Sequence, residues 1–435
     1  MRAGHKTTPK RTVRLNRRLA TVPMAWLGRV PSGVLAAIAF TLCAEGQTPT
    51  GASRALSPVD RYDYIASTQA IGGLPQLDPS SDPLVEAARQ MLGMGTSVIK
   101  FRLTGNPYAK ERDSKITSLP QLVREPAFQQ IFEMPFAHYI LWTHALSTDH
   151  QVTPWHGHMK KEVLGAEYKE IYDLTQYLLR TYNGTGKSFY LGNREGDWLL
   201  LEGSPKKARK WDQIVNPDAP QGMIDWLTNR QRAVDDARSH TPHQDVQVYF
   251  YVEANAVQKS IKQGLVSVAQ DVLPFVNPDY ASFSSYDSTK PDKDLHHDLP
   301  AALDYLQSRL KPKPGLPEKR VFVGEYESIR KDFTPVQQDA YMRDVIATSI
   351  KWGTPFVLYW ALYSNATYTD GSFQRCWLID NQGVKQPAYY TYQTFDRDAR
   401  AFVSSALRKS GRVPPAKEFQ DFAYKWFTNP DTRPR

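Results

Sequence analysis

The sequence predicts an α/β protein built as a closed (β/α)8 barrel, the TIM-barrel arrangement. Three observations predict it. Eight short apolar, aromatic runs alternate with stretches whose apolar residues recur at helical spacing. The connections are short before the runs and long after them. A chain of 435 residues with 41% hydrophobic composition has enough material for one large core. A doubly wound open sheet accommodates the same alternation and is the competing arrangement.

The runs, in order, are Asp63 to Thr68, Ser97 to Leu103, His138 to His144, Lys187 to Asn193, Val246 to Glu253, Tyr280 to Tyr286, Arg320 to Glu325 and Phe356 to Ala361. Each is strand-length and rich in β-branched or aromatic side chains, as expected of parallel strands buried on both faces. Between them, Leu164, Tyr168, Ile171, Leu174 and Leu178 mark one helix. Leu299, Leu303, Leu306 and Leu310 mark another, and Met342, Val345, Ile346 and Ile350 a third. Turn-like links at 93–96, 183–186, 277–279 and 353–355 lead into strands, whereas 147–161, 196–221 and 363–386 follow them. Long loops gathered at the carboxyl ends of barrel strands define the face on which such barrels carry their sites.

The formal charge of +9 does not belong to this body. Residues 1–44 hold eight Lys or Arg and no acid, and removing those eight from 54 leaves 46 basic against 45 acidic residues. Nucleic acid is therefore not an expected partner. The basic stretch, the apolar run Val34 to Leu42 and Ala44-Glu45-Gly46 read as an export leader over 1–46, with Met24 an alternative start. The apolar run is short for a bilayer span, so no stable membrane insertion is expected once the leader is removed, and the destination is secreted or periplasmic. The barrel then occupies 47–428, followed by a loose tail over 429–435. With Cys43 in the leader, Cys376 has no intramolecular partner, and no disulfide framework is implied.

Two strands open abruptly into acids. KSFYLGNREGDW (Lys187 to Trp198) passes from an aromatic run into a polar, glycine-flanked cluster containing Glu195. RVFVGEYES (Arg320 to Ser328) places Glu325 behind VFVG, where a charge demands a reason. Two carboxyl groups facing each other across a cleft are what hydrolysis of a glycosidic bond with retention requires, one attacking the anomeric carbon and one protonating the leaving oxygen. A structural ion pair is the alternative for each.

At these residues the chain resembles the retaining (β/α)8 glycoside hydrolases of clan A. The resemblance implies an acid/base glutamate after the fourth strand, at Glu195 with Asn193 nearby, and a nucleophile ending the seventh, at Glu325. It also implies supporting roles for Arg102 in IKFRL, Tyr286 in SSYDS and Trp360 in LYWA. The segment Trp377 to Tyr392 looks like the one with which such enzymes enter their last helix. Arg194 separates Asn193 from Glu195, where the family pattern has the pair adjacent. Two residues apart on an extended strand, both would still face the cleft.

Arg102 is expected to bond Glu325 and hold it ionised, or else to pair with another acid. Tyr286 either donates its hydroxyl to Glu325 or packs. Trp360 and Trp198 offer flat faces for a sugar ring or belong to the core. Glu253, in VEAN, is the rival for the acid role, with Glu327 and Asp197 behind it. Of His138, His144, His156 and His158, the pair His156-Gly157-His158 falls in a loop and lacks further ligands at suitable spacing. Substrate contact, with His144 the candidate, is favoured over a metal, and no metal or cofactor is called for. GTGKS (Gly184 to Ser188) precedes a strand and lacks the first glycine of a phosphate loop. Asn183 and Asn365 begin glycosylation tripeptides that matter only in a eukaryotic secretory host. The expected activity is that of an exported retaining glycoside hydrolase acting on a poly- or oligosaccharide by double displacement. The alternative is a glycan-binding barrel without turnover; oligomeric state is left open.

Overall fold

The computed structural model describes residues 54–71, 77–103, 115–148, 152–202, 216–327, 331–364 and 366–432. The expected export leader, 1–46, lies outside them. Eight parallel strands close a barrel in sequence order: β1 (Ala66–Ala70), β2 (Val98–Leu103), β3 (His138–Thr143), β4 (Lys187–Gly192), β5 (Val246–Ala254), β6 (Tyr280–Ser284), β7 (Val321–Tyr326) and β8 (Val357–Tyr359). Pairing of Ala66 with Val357 and Thr68 with Tyr359 seals the ring and removes the open-sheet alternative. Each of the eight apolar runs is a strand. The three helical patterns are the helices Lys161–Thr181, Leu295–Ser308 and Pro335–Trp352. Segment Trp377 to Tyr392 leads into Pro387–Ser410.

The loop asymmetry has local causes. Helices Pro83–Met94 and Pro335–Trp352 stop at Gly95 (φ 96°) and Gly353 (φ 98°), left-handed caps that turn the chain directly into the next strand. At the other end, the described residues of 144–160 and 360–386 form no long helix and build up the carboxyl face.

Two cores result. Between strands and helices lies a continuous layer including Phe101, Leu141, Phe189, Phe250, Phe283 and Tyr326. Inside the ring, Ile140, Trp142, Tyr190, Tyr251, Phe322 and Leu358 fill the lumen. The alternation puts Lys100 and Arg102 of β2, Trp142 of β3 and Glu253 of β5 on this inner side, so the polar groups sit on an aromatic plug. The last described residues are tied down: Arg343 Nη2 donates to the carbonyl oxygen of Asn429 and to Thr432 Oγ1 (3.1 and 2.6 Å). Among the described residues, no helix is long and apolar enough to cross a membrane.

Candidate active site

Glu325 reaches the lumen through an irregularity in β7. Phe322 and Gly324 face inward, so strict alternation would send Glu325 outward to the helices. But Phe283 pairs with Val323 while Ser284 pairs with Glu325, and Val323 to Tyr326 spans only Val357 to Tyr359 on β8. One extra residue is thus accommodated, and such a bulge re-aims the side chains that follow it. Glu325 turns in, and Tyr326 turns out to meet Tyr392 hydroxyl to hydroxyl at 3.1 Å. Gly324 is needed at the bulge because a Cβ there would lie 1.9 Å from Ser282 Oγ.

Both carboxylate oxygens of Glu325 accept hydrogen bonds: Oε1 from Lys100 Nζ at 3.0 Å, and Oε2 from the Tyr286 hydroxyl at 2.8 Å. Lys100 Nζ also donates to Glu253 Oε2 at 3.0 Å and to the Gly324 carbonyl at 3.0 Å. Glu253 in turn accepts from Ser282 Oγ (2.8 Å) and, through Oε1, from the backbone N–H of Glu195 (2.9 Å). An unbroken polar chain therefore runs from Glu325 through Lys100 and Glu253 to the main chain of Glu195.

Glu195 is not on an extended strand. β4 ends at Gly192, and Glu195 caps the short helix Gly196–Leu200. Its Oε1 accepts from Asn255 Nδ2 at 2.5 Å. Asn255 is positioned by Asp197, whose buried carboxylate accepts the N–H groups of Asn255 (2.7 Å), Ala256 (3.2 Å) and Val268 (2.8 Å), locking the ends of β4 and β5 together. Asp197 is structural.

The two glutamates have different surroundings. Burial, then the negative Glu325 and Glu253, push Glu195 up to about 8, against weaker pulls from Lys100 and Arg194. Burial also raises Glu325, to about 7, but the Lys100 ammonium and the Tyr286 hydroxyl oppose that rise directly. Lys100 stays protonated: burial lowers it, and the Glu253 and Glu325 carboxylates outweigh burial and raise it. Glu325 is the readier to ionise and Glu195 the readier to hold a proton.

The expected residues distribute as follows. Tyr286 bonds Glu325, the first of its two predicted roles. Arg102 does not: Lys100 takes that position one layer deeper, while Arg102 stacks its guanidinium 5.4 Å from the Trp142 ring and its Nε has no partner among the described residues. Asn193 does not reach the cleft either. It is fully buried, donating to the carbonyl oxygens of Arg194 and Glu253 and accepting from the N–H of Glu253. The reason is the turn after Gly192, which breaks the two-residue alternation; Asn255 serves Glu195 instead. Glu253 is fully buried beneath the site and has no open face for a substrate or a leaving group. Lys100 and Asn255 were not among the expected site residues.

A cleft of roughly 590 Å³ opens over Glu195, Tyr286 and Asn255, with Trp198, 38% exposed, on its wall and Asp287 and Glu327 beside them. Burial pushes Asp287 up to about 7 and raises Glu327. Trp360, partly buried after β8, packs its ring 6.5 Å from Trp142. His144 lines a separate, smaller pocket. His156 contacts Asn216 and His158 contacts Asp225. Among the described residues, no three His, Cys, Asp or Glu side chains form a metal-binding group. Lys187 of the GTGKS segment points to the opposite end of the barrel, where its ammonium donates to the Met134 carbonyl at 2.9 Å.

The fold is that of a (β/α)8 barrel, and glycoside hydrolases are among the solved structures similar to it. A family 39 glycoside hydrolase from Bacteroides cellulosilyticus WH2 is 12% identical with TM-score 0.49, over 78% of this chain and 64% of its own. The exo-β-1,4-mannosidase Op5Man5 from Opitutaceae bacterium strain TAV5 is 14% identical with TM-score 0.49, over 81% and 63%. A GH5_18 protein from Streptomyces cattleya, in complex with GlcNAc, is 11% identical with TM-score 0.49, over 81% and 82%. The match thus spans less than two thirds of the first two proteins. No family model matches the sequence, and no curated protein does.

Proposed function

We propose that this chain is a retaining glycoside hydrolase acting on a poly- or oligosaccharide. The observation that carries the reading is the unequal pair at the carboxyl ends of β4 and β7. Glu325 is clasped by an ammonium and a phenol, and Glu195 is held by an amide with no cation in contact among the described residues. In the first step a Glu325 carboxylate oxygen attacks the anomeric carbon as Glu195 gives its proton to the departing glycosidic oxygen. In the second, Glu195, now a carboxylate, takes a proton from water. That water attacks the same carbon and releases Glu325, and two inversions leave the anomeric configuration unchanged. Lys100 and Tyr286 favour the ionised form of Glu325 before attack. Loss of its charge on forming the glycosyl ester leaves Glu195 as the carboxylate that serves as base, and return of that charge in the second step favours the proton's return to Glu195. The apolar run Val34 to Leu42 behind a basic stretch supports export.

A panel of aryl glycosides and polysaccharides, with the first-formed product anomer followed by NMR, tests this directly. Retention is expected. Inversion, or no turnover of any member by protein that binds glycans, would replace the double displacement with another mechanism or with the binding-only alternative. Amino-terminal sequencing of the extracellular protein tests export, a start near residue 47 being expected.

A further inference from the structure

Beside the cleft lies a second pocket of roughly 320 Å³, entered at the carboxyl ends of β3 and β4 and lined by His144, Thr148, Arg194, Glu202 and Arg230. Arg194 is the residue immediately before Glu195, so the two cavities share one stretch of chain. The volume is at the small end of ligand sites, which run from roughly 300 to 1,000 Å³, and suits a single sugar residue.

Its open hydrogen-bonding capacity is unusual. Arg230 is fully buried: Nε donates to Glu167 Oε2 at 2.8 Å and Nη1 to the Thr143 carbonyl at 2.8 Å, yet Nη2 has no partner among the described residues. The Arg194 side chain is 41% exposed, but its Nε is buried and has no partner among the described residues, and its Nη2 lies 3.8 Å from Glu202. Glu167 is already committed through both carboxylate oxygens and Glu202 through Oε2, its Oε1 lying 3.8 Å from Arg194. Glu167 accepts from Thr148, Trp226 and Arg230, and Glu202 accepts from Thr153. What remains unfilled is donor capacity on two guanidinium groups, and a buried donor left without an acceptor costs free energy. Burial and the Arg230 and Arg194 charges also push His144 down to about 4, so near neutral pH its uncharged ring adds no third cation and still has an N–H to offer.

We propose that this pocket is a subsite for a sugar residue bearing an anionic group, a carboxylate or a sulfate, which Arg230 Nη2 and Arg194 Nε receive. Single charge-assisted hydrogen bonds from two guanidinium groups to such oxygens are strong. The subsite deepens the hydrolase reading by naming its substrate class, an acidic glycan whose charged residue lies next to the bond cleaved.

NMR titration of the Glu325→Gln protein with sodium glucuronate, glucose 6-sulfate and glucose reads the pocket without turnover, so the result stands whether or not the chain hydrolyses anything. One or both acidic sugars should bind at least about tenfold more tightly than glucose, and Arg194→Gln should lower that preference by about tenfold. Arg194→Lys should keep part of it. The tighter acid identifies the group. If Arg194→Gln disturbs folding, Arg230→Lys, which keeps a charge toward Glu167 and removes Nη2, gives the same reading. Equal binding of all three sugars, binding of none, or a preference that survives loss of the arginine would overturn the proposal.

Discussion

Lys100 Nζ lies 3.0 Å from Glu325 Oε1, with both side chains shut away from solvent and Glu253 an equal 3.0 Å from the same ammonium. One cation thus serves two buried carboxylates. Removing one member of a buried ionic group costs about 3–5 kcal/mol, because the remaining charges are left without a counterion. Lys100→Met should lose roughly that much stability in urea unfolding. In whatever enzyme remains folded, the acid limb of the rate profile should move to higher pH, since Glu325 would release its proton less readily. An unchanged acid limb would mean that Lys100 supports the fold alone.

Glu325→Gly should abolish turnover of aryl glycosides, and azide should restore it by occupying the vacated space. Azide attacking from the nucleophile's side gives a glycosyl azide of inverted configuration. Glu195→Gly with azide should give the retained azide and should cost about 10²–10⁴-fold on substrates with poor leaving groups, with little loss where the aglycone needs no protonation. Exchanged azide products would exchange the two roles.

The dependence of kcat/KM on pH should be bell-shaped, rising as Glu325 ionises near 7 and falling as Glu195 ionises near 8. Because the acid titrates above the nucleophile, the productive form is the majority form between the two limbs. In Glu195→Gln, measured on an activated aryl glycoside, the falling limb should vanish. Its persistence would assign that limb to another group.

The same burial makes Glu195 a pH-dependent cost to the fold. An unfolded glutamate loses its proton near 4.5, and in the folded chain Glu195 keeps it to about 8. Across that window the native state binds more protons, so stability falls as pH rises, by up to about 1.4 kcal/mol per pH unit. Glu195→Gln removes the contribution. Its thermal midpoint should gain on the parent's as pH is raised from 5 to 8, and parallel curves would place Glu195 in a more polar setting than the structure gives.

The barrel was legible because parallel strands buried on both faces leave short apolar runs enriched in β-branched and aromatic side chains, and all eight are strands. Glu325 was legible for a related reason, as a charge behind VFVG. The same signal stood in VIKF of β2, where Lys100 is equally out of place, but the arginine two residues on drew the role to itself. Alternation puts both on the inner side, and depth in the barrel, which is not periodic in sequence, decides which meets Glu325. Asn193 was misplaced because the two-residue alternation was carried past Gly192, where β4 ends. Asn255 left no local signal; only closure of β5 beside β4 brings it to Glu195.

Gly324 joins fold to site, and its replacement tests that connection. The bulge that turns Glu325 inward sets the Gly324 backbone against Ser282, so a Cβ would meet Ser282 Oγ at 1.9 Å and Glu253 Oε2 at 3.2 Å. Ser282 cannot yield without weakening its 2.8 Å bond to Glu253, which also receives Lys100 and the Glu195 N–H. Gly324→Ala should therefore cost about 1–3 kcal/mol by overpacking and lower kcat through displacement of both glutamates. Gly324→Ala combined with Ser282→Gly makes room for the added methyl. That pair should recover most of the lost stability and less of the lost rate, because Glu253 would still lack its serine donor. Full recovery of both would show that the serine serves only to fill space.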